Sequence, residues 1–235
     1  MAIVPVKPLA EAKTRLAGVL DENERVALAR RLLERTLLKM TRARGIARVA
    51  VISRDDAVLK LARKFGAFGI LESNANLNDA LQQARRVCVA NGARAVLIIP
   101  ADLPRLRVRD LEKMIALGEP APRVVIAPAA RDGGTNALLL NPASDFDFKF
   151  GENSFAAHLA EAQSGNWQVQ VYDSDTVTFD LDMPEDLQDQ SKIESQKSKI
   201  ENLGGSHVPC CTLSPRQTRN PRRDGLRAVR RTARL

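Results

Sequence analysis

The sequence predicts an α/β protein with a mixed, mostly parallel sheet covered by helices on both faces. Strand-type and helix-type stretches alternate from residue 2 to about residue 117, the pattern of a parallel sheet wound on both sides. A hydrophobic content of 44% is enough for a real core. Beyond residue 117 the alternation is less regular and the loops are longer, which predicts a mixed sheet there.

Ala2–Val6 is short, apolar and rich in β-branched residues, so it reads as the first strand. In Glu22–Met40, Val26, Leu28, Ala29, Leu32, Leu33, Thr36, Leu37 and Met40 recur at helical spacing, with Arg and Glu on the other face. Val49–Ile52 is a strand, and Asp55–Phe65 a helix that ends at Gly66. Phe68–Leu71 is a third strand, followed by a helix over Asn76–Val89 that stops near Gly92. Ala95–Ile99 is a wholly apolar run, fit for a buried central strand. Val108–Leu117 reads as a helix, Val124–Ala127 and Asn136–Leu140 as strands, and Asn153–Ala162 as another helix. Val169–Val171 and Val177–Phe179 are the last expected strands. Pro184–Leu187 opens a short helix with proline in its first turn.

Charge divides the chain in two. Residues 191–235 hold 11 Lys and Arg against 3 Asp and Glu, so they carry the whole formal charge of +8; residues 1–190 hold 25 of each sign. The expected organisation is therefore one neutral domain over 1–190 and a basic, disordered tail over 191–235. An Arg-rich tail could bind a phosphate backbone, but this one has no aromatic residue on which a base would stack, so a nucleic-acid partner is not expected. The three cysteines, Cys88, Cys210 and Cys211, form no disulfide framework. The start already looks like a strand rather than a leader, and no apolar stretch approaches the ~20 residues that span a bilayer. The expectation is a cytoplasmic protein with no membrane partner.

In open α/β sheets, ligands bind beyond the carboxyl ends of the strands, so the segments that follow strands carry the functional reading. PVKPLAEAKTRL (residues 5–16) places Lys7, Lys13 and Arg15 within nine positions. A nucleoside triphosphate carries about three to four negative charges, and Lys and Arg are its usual partners. A solvated basic loop would look the same, and neither a dinucleotide fingerprint nor a P-loop is present. In LIIPADLPRL, Asp102 follows the apolar run by three positions and lies between Pro100 and Pro104. A carboxylate held rigidly at a strand edge suits Mg²⁺, which takes one or two carboxylates together with substrate phosphates. It would equally suit a turn or helix cap.

TFDLDMPEDL alternates Asp180 and Asp182 with Phe179 and Leu181, so an extended segment points both carboxylates to one side. Two such charges repel unless a cation lies between them. Asp182 could instead cap the helix that begins at Pro184. Gly133–Gly134–Thr135 precedes a strand, and Gly151 and Ser154 precede a helix. Glycines admit close backbone approach, and free N–H groups at a helix start bind anions, so a small phosphorylated acid would fit. A hairpin glycine pair and an N-cap serine remain the alternatives. His158 lies one turn after Ser154 on the same face, as a ligand or as a packed side chain.

No segment decides alone, but their order is specific. PVKPLAEAKTRL, IIPADLP, DGGTNALL, FGENSF with His158, and FDLDMPEDL resemble the 2-phospho-L-lactate guanylyltransferase family of coenzyme F-420 biosynthesis. The resemblance covers residues 2–187. It implies a nucleotidyltransferase (GT-A-like) fold, a Rossmann-like three-layer α/β/α sandwich. It implies transfer from GTP to a three-carbon phosphorylated acid, 2-phospho-L-lactate or phosphoenolpyruvate among them, with release of pyrophosphate. Carried over residue by residue, Asp102, Asp180 and Asp182 would hold Mg²⁺. Lys7, Lys13 and Arg15 would meet the triphosphate. Thr135, Gly151 and Ser154, with His158, would form the acid site, and Asn78 in LNDAL would lie near base or ribose. No residue stands out as the reader of the guanine edge. A homodimer is the default assembly on general grounds.

Two rivals are weighed against this reading. A sugar-1-phosphate nucleotidyltransferase or related enzyme of similar fold would carry a glycine-rich loop after the first strand, whereas here no glycine precedes Gly18. A non-catalytic domain with a nucleic-acid-binding tail would depend on residues 191–235.

Overall fold

The computed structural model describes residues 1–188; the tail expected from residue 191 lies outside the described residues. Seven strands form one sheet: β1 (Ala2–Pro5), β2 (Val49–Ser53), β3 (Phe68–Leu71), β4 (Val96–Ile98), β5 (Arg123–Pro128), β6 (Thr135–Asn141) and β7 (Gln168–Val171). Five helices connect them: α1 (Glu22–Arg42), α2 (Asp56–Lys64), α3 (Leu77–Ala90), α4 (Val108–Leu117) and α5 (Ser154–Ser164). The strand order is β3-β2-β1-β4-β6-β5-β7. β6 runs antiparallel to both β4 and β5, and the remaining pairs are parallel. The sheet is thus mixed and mostly parallel, as the sequence predicts.

Alternation along the strands builds a core on each face. Val4, Val51, Leu97 and Leu139 pack with Leu33, Leu37, Leu111 and Met114 of α1 and α4. Ile3, Ile52, Ile98 and Leu138 point the other way, onto Leu81, Ala84 and Cys88 of α3. Each fully buried Leu or Ile contributes about 2 kcal/mol, so this two-sided apolar pattern fixes the three-layer arrangement. Among the described residues, no helix is long and apolar enough to cross a membrane.

Local chemistry sets the helix starts. Asp21 accepts from the Glu24 amide at 2.8 Å, and the Glu24 carboxylate accepts from the Asp21 amide at 2.8 Å, a reciprocal cap for α1. Asp55 caps α2 through Ala57 N at 2.8 Å, and its second oxygen accepts Leu9 N at 3.0 Å. That second bond ties the basic loop after β1 to the start of α2.

The strand expected over Val177–Phe179 is not formed. The amides of Val177 and Thr178 both donate to Ser174 O, at 2.8 and 2.9 Å, which closes a turn. The carbonyls of Val177 and Thr178 accept from the Asn136 side chain, both at 2.9 Å. Thr178 O also accepts from the Ala130 amide at 2.9 Å, a single backbone bond to the chain just past β5, and with its other groups taken by the turn and Asn136 the segment extends no ladder. Asp110 reinforces the turn by accepting from Tyr172 and Thr176 at 2.9 and 2.7 Å. Residues 184–188 are helical, as the proline signal predicts.

Candidate active site

From β1 the chain moves outward to β2 and β3, then crosses back to lay β4 on the other side of β1. The carboxyl ends of β1 and β4 therefore flank the point where the winding reverses, where a crevice opens. A cleft of about 760 Å³ lies there. Its lining includes Lys7, Lys13, Arg15, Arg54, Asp102 and Asp182.

Lys13 is the centre of this group. Its backbone is left-handed, with φ 55°, a conformation that costs a non-glycine residue about 1–3 kcal/mol and is concentrated at functional sites. Its side chain is only 7% exposed, and Nζ lies 2.9 Å from Asp102 Oδ2 and 3.7 Å from Asp182 Oδ1. Arg15 Nη1 takes the other oxygen of Asp182 at 2.5 Å. Lys7 is exposed on the same cleft. The three cations read from the sequence are thus brought together with two of the three carboxylates.

The Asp-x-Asp segment reaches this place through backbone bonds. Leu181 N donates to Asp102 O at 3.0 Å. Asp182 does not cap the following helix. Asp186 does so instead, accepting from the Asp182 and Met183 amides at 2.9 and 2.7 Å while pairing with Arg131. Burial alone would raise the Asp186 carboxyl, but Arg131 and the two amides outweigh it and hold it below the ordinary carboxylate value. Asp180 shifts the other way. Burial raises its carboxyl first, the charge of Asp102 adds to this, and Asp182 adds further, against smaller opposing contributions from its own amide and Lys13. Among the described residues, no group of three or more His, Cys, Asp or Glu is arranged to hold a metal alone.

A second group gathers at the same sheet edge. The β4–β6 register pairs Ile98 with Leu138, so the end of β4 leads toward the start of β6, where Thr135 sits. The Gly133–Gly134 pair serves a hairpin, since Ala129 N donates to Gly134 O at 2.9 Å. It also docks on α5: Phe155 N donates to Gly133 O at 3.0 Å and Asn153 N to Asp132 O at 3.1 Å. Ser154 is not the N-cap of α5; Asn153 holds that place, with φ 55°. Ser154 Oγ is buried and has no hydrogen-bond partner. Gly151, at φ 140°, turns the chain into this helix.

His158 is fully buried. Its Nδ1 lies 3.0 Å from Thr135 Oγ1, and its Nε2 accepts from Lys149 N at 3.0 Å. Burial, with a smaller push from the Lys149 charge, lowers its pKa to about 4. Asn78 is absent from the cleft lining. Its amide bonds both ways with the Phe150 backbone, at 3.1 and 2.8 Å, and so holds the chain beside Gly151.

Sequence reasoning missed Asp186, Arg131 and Asn136. Asp186 left a signal, since a carboxylate in the third helical position reaches back to the amides that open a helix. Arg131 and Asn136 left none, because their partners lie more than 40 residues away.

The family model described as "Guanylyl transferase CofC like" matches residues 1–200. The chain belongs to this family. A phosphoenolpyruvate guanylyltransferase of Rubrobacter xylanophilus is 42% identical over 186 residues, covering 79% of this chain and 90% of the relative. A 2-phospho-L-lactate guanylyltransferase of Methanocaldococcus vulcanius is 37% identical over 80% of this chain and 82% of its own length. A 3-phospho-D-glycerate guanylyltransferase of Colwellia psychrerythraea is 31% identical, covering 79% and 88%. Among solved structures, a nucleotidyl transferase from Methanothermobacter shares the fold with a TM-score of 0.60 and 13% identity, covering 83% of this chain and 97% of that one. The likeness of fold is that of the nucleotidyltransferases, as the resemblance in the sequence implied.

Proposed function

We propose that this chain is a guanylyltransferase that joins GTP to a small phosphorylated three-carbon acid, 2-phospho-L-lactate or phosphoenolpyruvate, within coenzyme F-420 biosynthesis. The observation that carries the reading is Lys13, held left-handed and nearly buried between Asp102 and Asp182 at the mouth of the cleft. The names of the family relatives support the reaction class over a sugar-phosphate transferase or a binding module.

The chemistry needs little proton transfer. A phosphate oxygen of the acceptor attacks the α-phosphorus of GTP, the bond to the bridging oxygen of the β-phosphate breaks, and pyrophosphate leaves with the electron pair. The acceptor phosphate is already ionised at neutral pH, so the barrier is the approach of two anions. Lys7, Lys13 and Arg15 lower it by countering charge on the triphosphate. Thr135, Gly151 and Ser154 hold the acid at the same sheet edge, which makes the encounter one of position. Asn78 holds the loop beside Gly151 through Phe150.

Mg²⁺ fits this donor set. Burial first, and then the charges of Asp102 and Asp182, raise the Asp180 carboxyl, so a cation among the three would favour their ionised forms. Mg²⁺ needs only one or two carboxylates, with phosphate oxygens completing its shell, so a three-carboxylate cage is not required. Asp102, Asp180 and Asp182 would hold the ion. When bound, it supplies charge neutralisation at the α-phosphate and the leaving pyrophosphate.

The test is pyrophosphate release from purified full-length protein with Mg²⁺ and GTP, against 2-phospho-L-lactate, phosphoenolpyruvate and 3-phospho-D-glycerate in turn. Release with one of the first two acids is expected. Release with 3-phospho-D-glycerate alone would change the acceptor. No release with any acid would overturn the reading.

A further inference from the structure

The proposed reaction asks no proton transfer of His158, yet every polar atom of its ring is committed. Nε2 accepts from the Lys149 backbone amide. A backbone N–H can only donate, so Nε2 must be the bare nitrogen. A neutral imidazole carries one proton, which is therefore on Nδ1. Burial keeps the ring neutral at working pH, its pKa standing at about 4. Phe150 meets the ring edge-on at 4.8 Å between centroids and Phe146 flanks it at 6.0 Å, which fixes its plane.

The fixed tautomer has a consequence for its neighbour. Nδ1–H donates to Thr135 Oγ1 across 3.0 Å. A threonine hydroxyl has one proton and two lone pairs. With a lone pair taken by His158, its own proton must point elsewhere. Among the described residues His158 is the hydrogen-bond partner of Thr135 Oγ1, so that proton is uncommitted. The opposite tautomer would draw the Thr135 proton inward and present lone pairs, which repel an anion. One turn before His158 on the same face of α5, Ser154 Oγ is a second buried hydroxyl with no partner. A buried hydroxyl left unpaired costs about 1–3 kcal/mol, and an anionic oxygen would relieve it.

We propose that His158 is a positioning residue for the acceptor acid: by accepting the Lys149 amide it holds its proton on Nδ1 and turns the Thr135 hydroxyl outward as a donor to an anionic oxygen. This rests on the reading that Thr135 and Ser154 hold the acceptor. Selectivity then comes from neutral donors that stay oriented whether or not the acid is present, with no charge brought into the pocket.

The test combines kinetics and spectroscopy on the full chain. With GTP saturating, Thr135→Val should raise the acceptor KM roughly 10- to 100-fold, the range for one hydrogen bond to a charged group. His158→Leu should do the same, with the KM for GTP unchanged within about twofold, the scale expected when no contact is lost. His158→Asn, which restores an N–H near the place of Nδ1, should recover much of the loss. In the Thr135→Val background, His158→Leu should add almost nothing, because the proton it directs is gone. Multiplicative effects in the double variant, or an equal rise in both KM values, would overturn the proposal. Should His158→Leu fail to fold, ¹⁵N-histidine spectra of the unaltered protein decide: Nδ1–H is expected, and Nε2–H would overturn it. His207, the other histidine, is assigned by His207→Gln. Absence of turnover with every acid removes the acceptor reading and this proposal together, an outcome distinct from the wrong tautomer in an active enzyme.

Discussion

Asp102 shows how much a single side chain is asked to do. It closes the apolar run of β4, its carbonyl takes the Leu181 amide, and its carboxylate pairs with the buried Lys13. Removing it takes a charge from the cleft and leaves Lys13 with only the longer contact to Asp182, at 3.7 Å. Asp102→Ala should therefore lower kcat about 100- to 1,000-fold, the scale for losing a principal electrostatic group. The check is the initial rate of pyrophosphate release, with circular dichroism to verify the fold. Ordinary turnover with an unaltered Mg²⁺ dependence would exclude Asp102 as a ligand. Asp102 was legible in the sequence because it follows a strand within a few residues, and Lys13 because it belongs to the basic stretch after the first strand. Their mutual pairing was not, because it joins positions 89 residues apart. The left-handed backbone of Lys13 was invisible for another reason: nothing in a lysine announces φ 55°.

At the scale of elements, the piece that brings Asp182 to the cleft, with Asp180 just before it, is reached through a turn rather than a strand. Its sequence, with Val177 and Phe179 alternating, satisfies a strand pattern, but Asn136 and Ser174 take its backbone groups first. What pins its far end is the Asp186 carboxylate, buried between two amides and Arg131. Asp186→Ala would leave the Asp182 and Met183 amides without an acceptor. It should cost about 2 kcal/mol, read as a fall in Tm of roughly 4–8 °C for a domain of this size. The KM for GTP should rise as well, because Asp182 loses its anchor. A melt unchanged from the parent would show that the segment is held by other contacts. The short helix after Pro184 was legible, and so were the five long helices, from their apolar period in every case and from Asp or Asn caps in α1, α2 and α3.

For the whole molecule, the sheet order and the two-sided core follow from alternation that the sequence displays openly. The antiparallel entry of β6 was only indicated by less regular spacing. Global stability also carries a mark of the buried histidine. His158 stays neutral in the fold with a pKa of about 4, against 6.5 for a free imidazole. As pH falls below 6.5, the unfolded chain takes up a proton that the folded one refuses. Stability from this group is complete above pH 6.5, is lost as pH falls toward 4, and changes no further below that. Between pH 7.5 and 5.0 the loss should be about 2 kcal/mol, measured by denaturant titration at each pH. The same titration on His158→Gln should lack this slope. An identical slope in both proteins would assign it to other groups.

β6 is the strand that runs against its neighbours, and this leaves a trace in how the protein could be altered over time. The cleft lining draws chiefly on residues before Leu103, with Asp182 as the late addition, and the hydroxyls proposed for the acid come from Thr135 and Ser154. A reversed strand brings the stretch from Thr135 to His158 toward the carboxyl end of β4 as one continuous run, completed before the chain returns with Asp182. Inheritance can therefore edit one paragraph of the text while leaving the other as written. Relatives named for phosphoenolpyruvate, 2-phospho-L-lactate and 3-phospho-D-glycerate, all guanylyltransferases, are the outcome such an arrangement would permit.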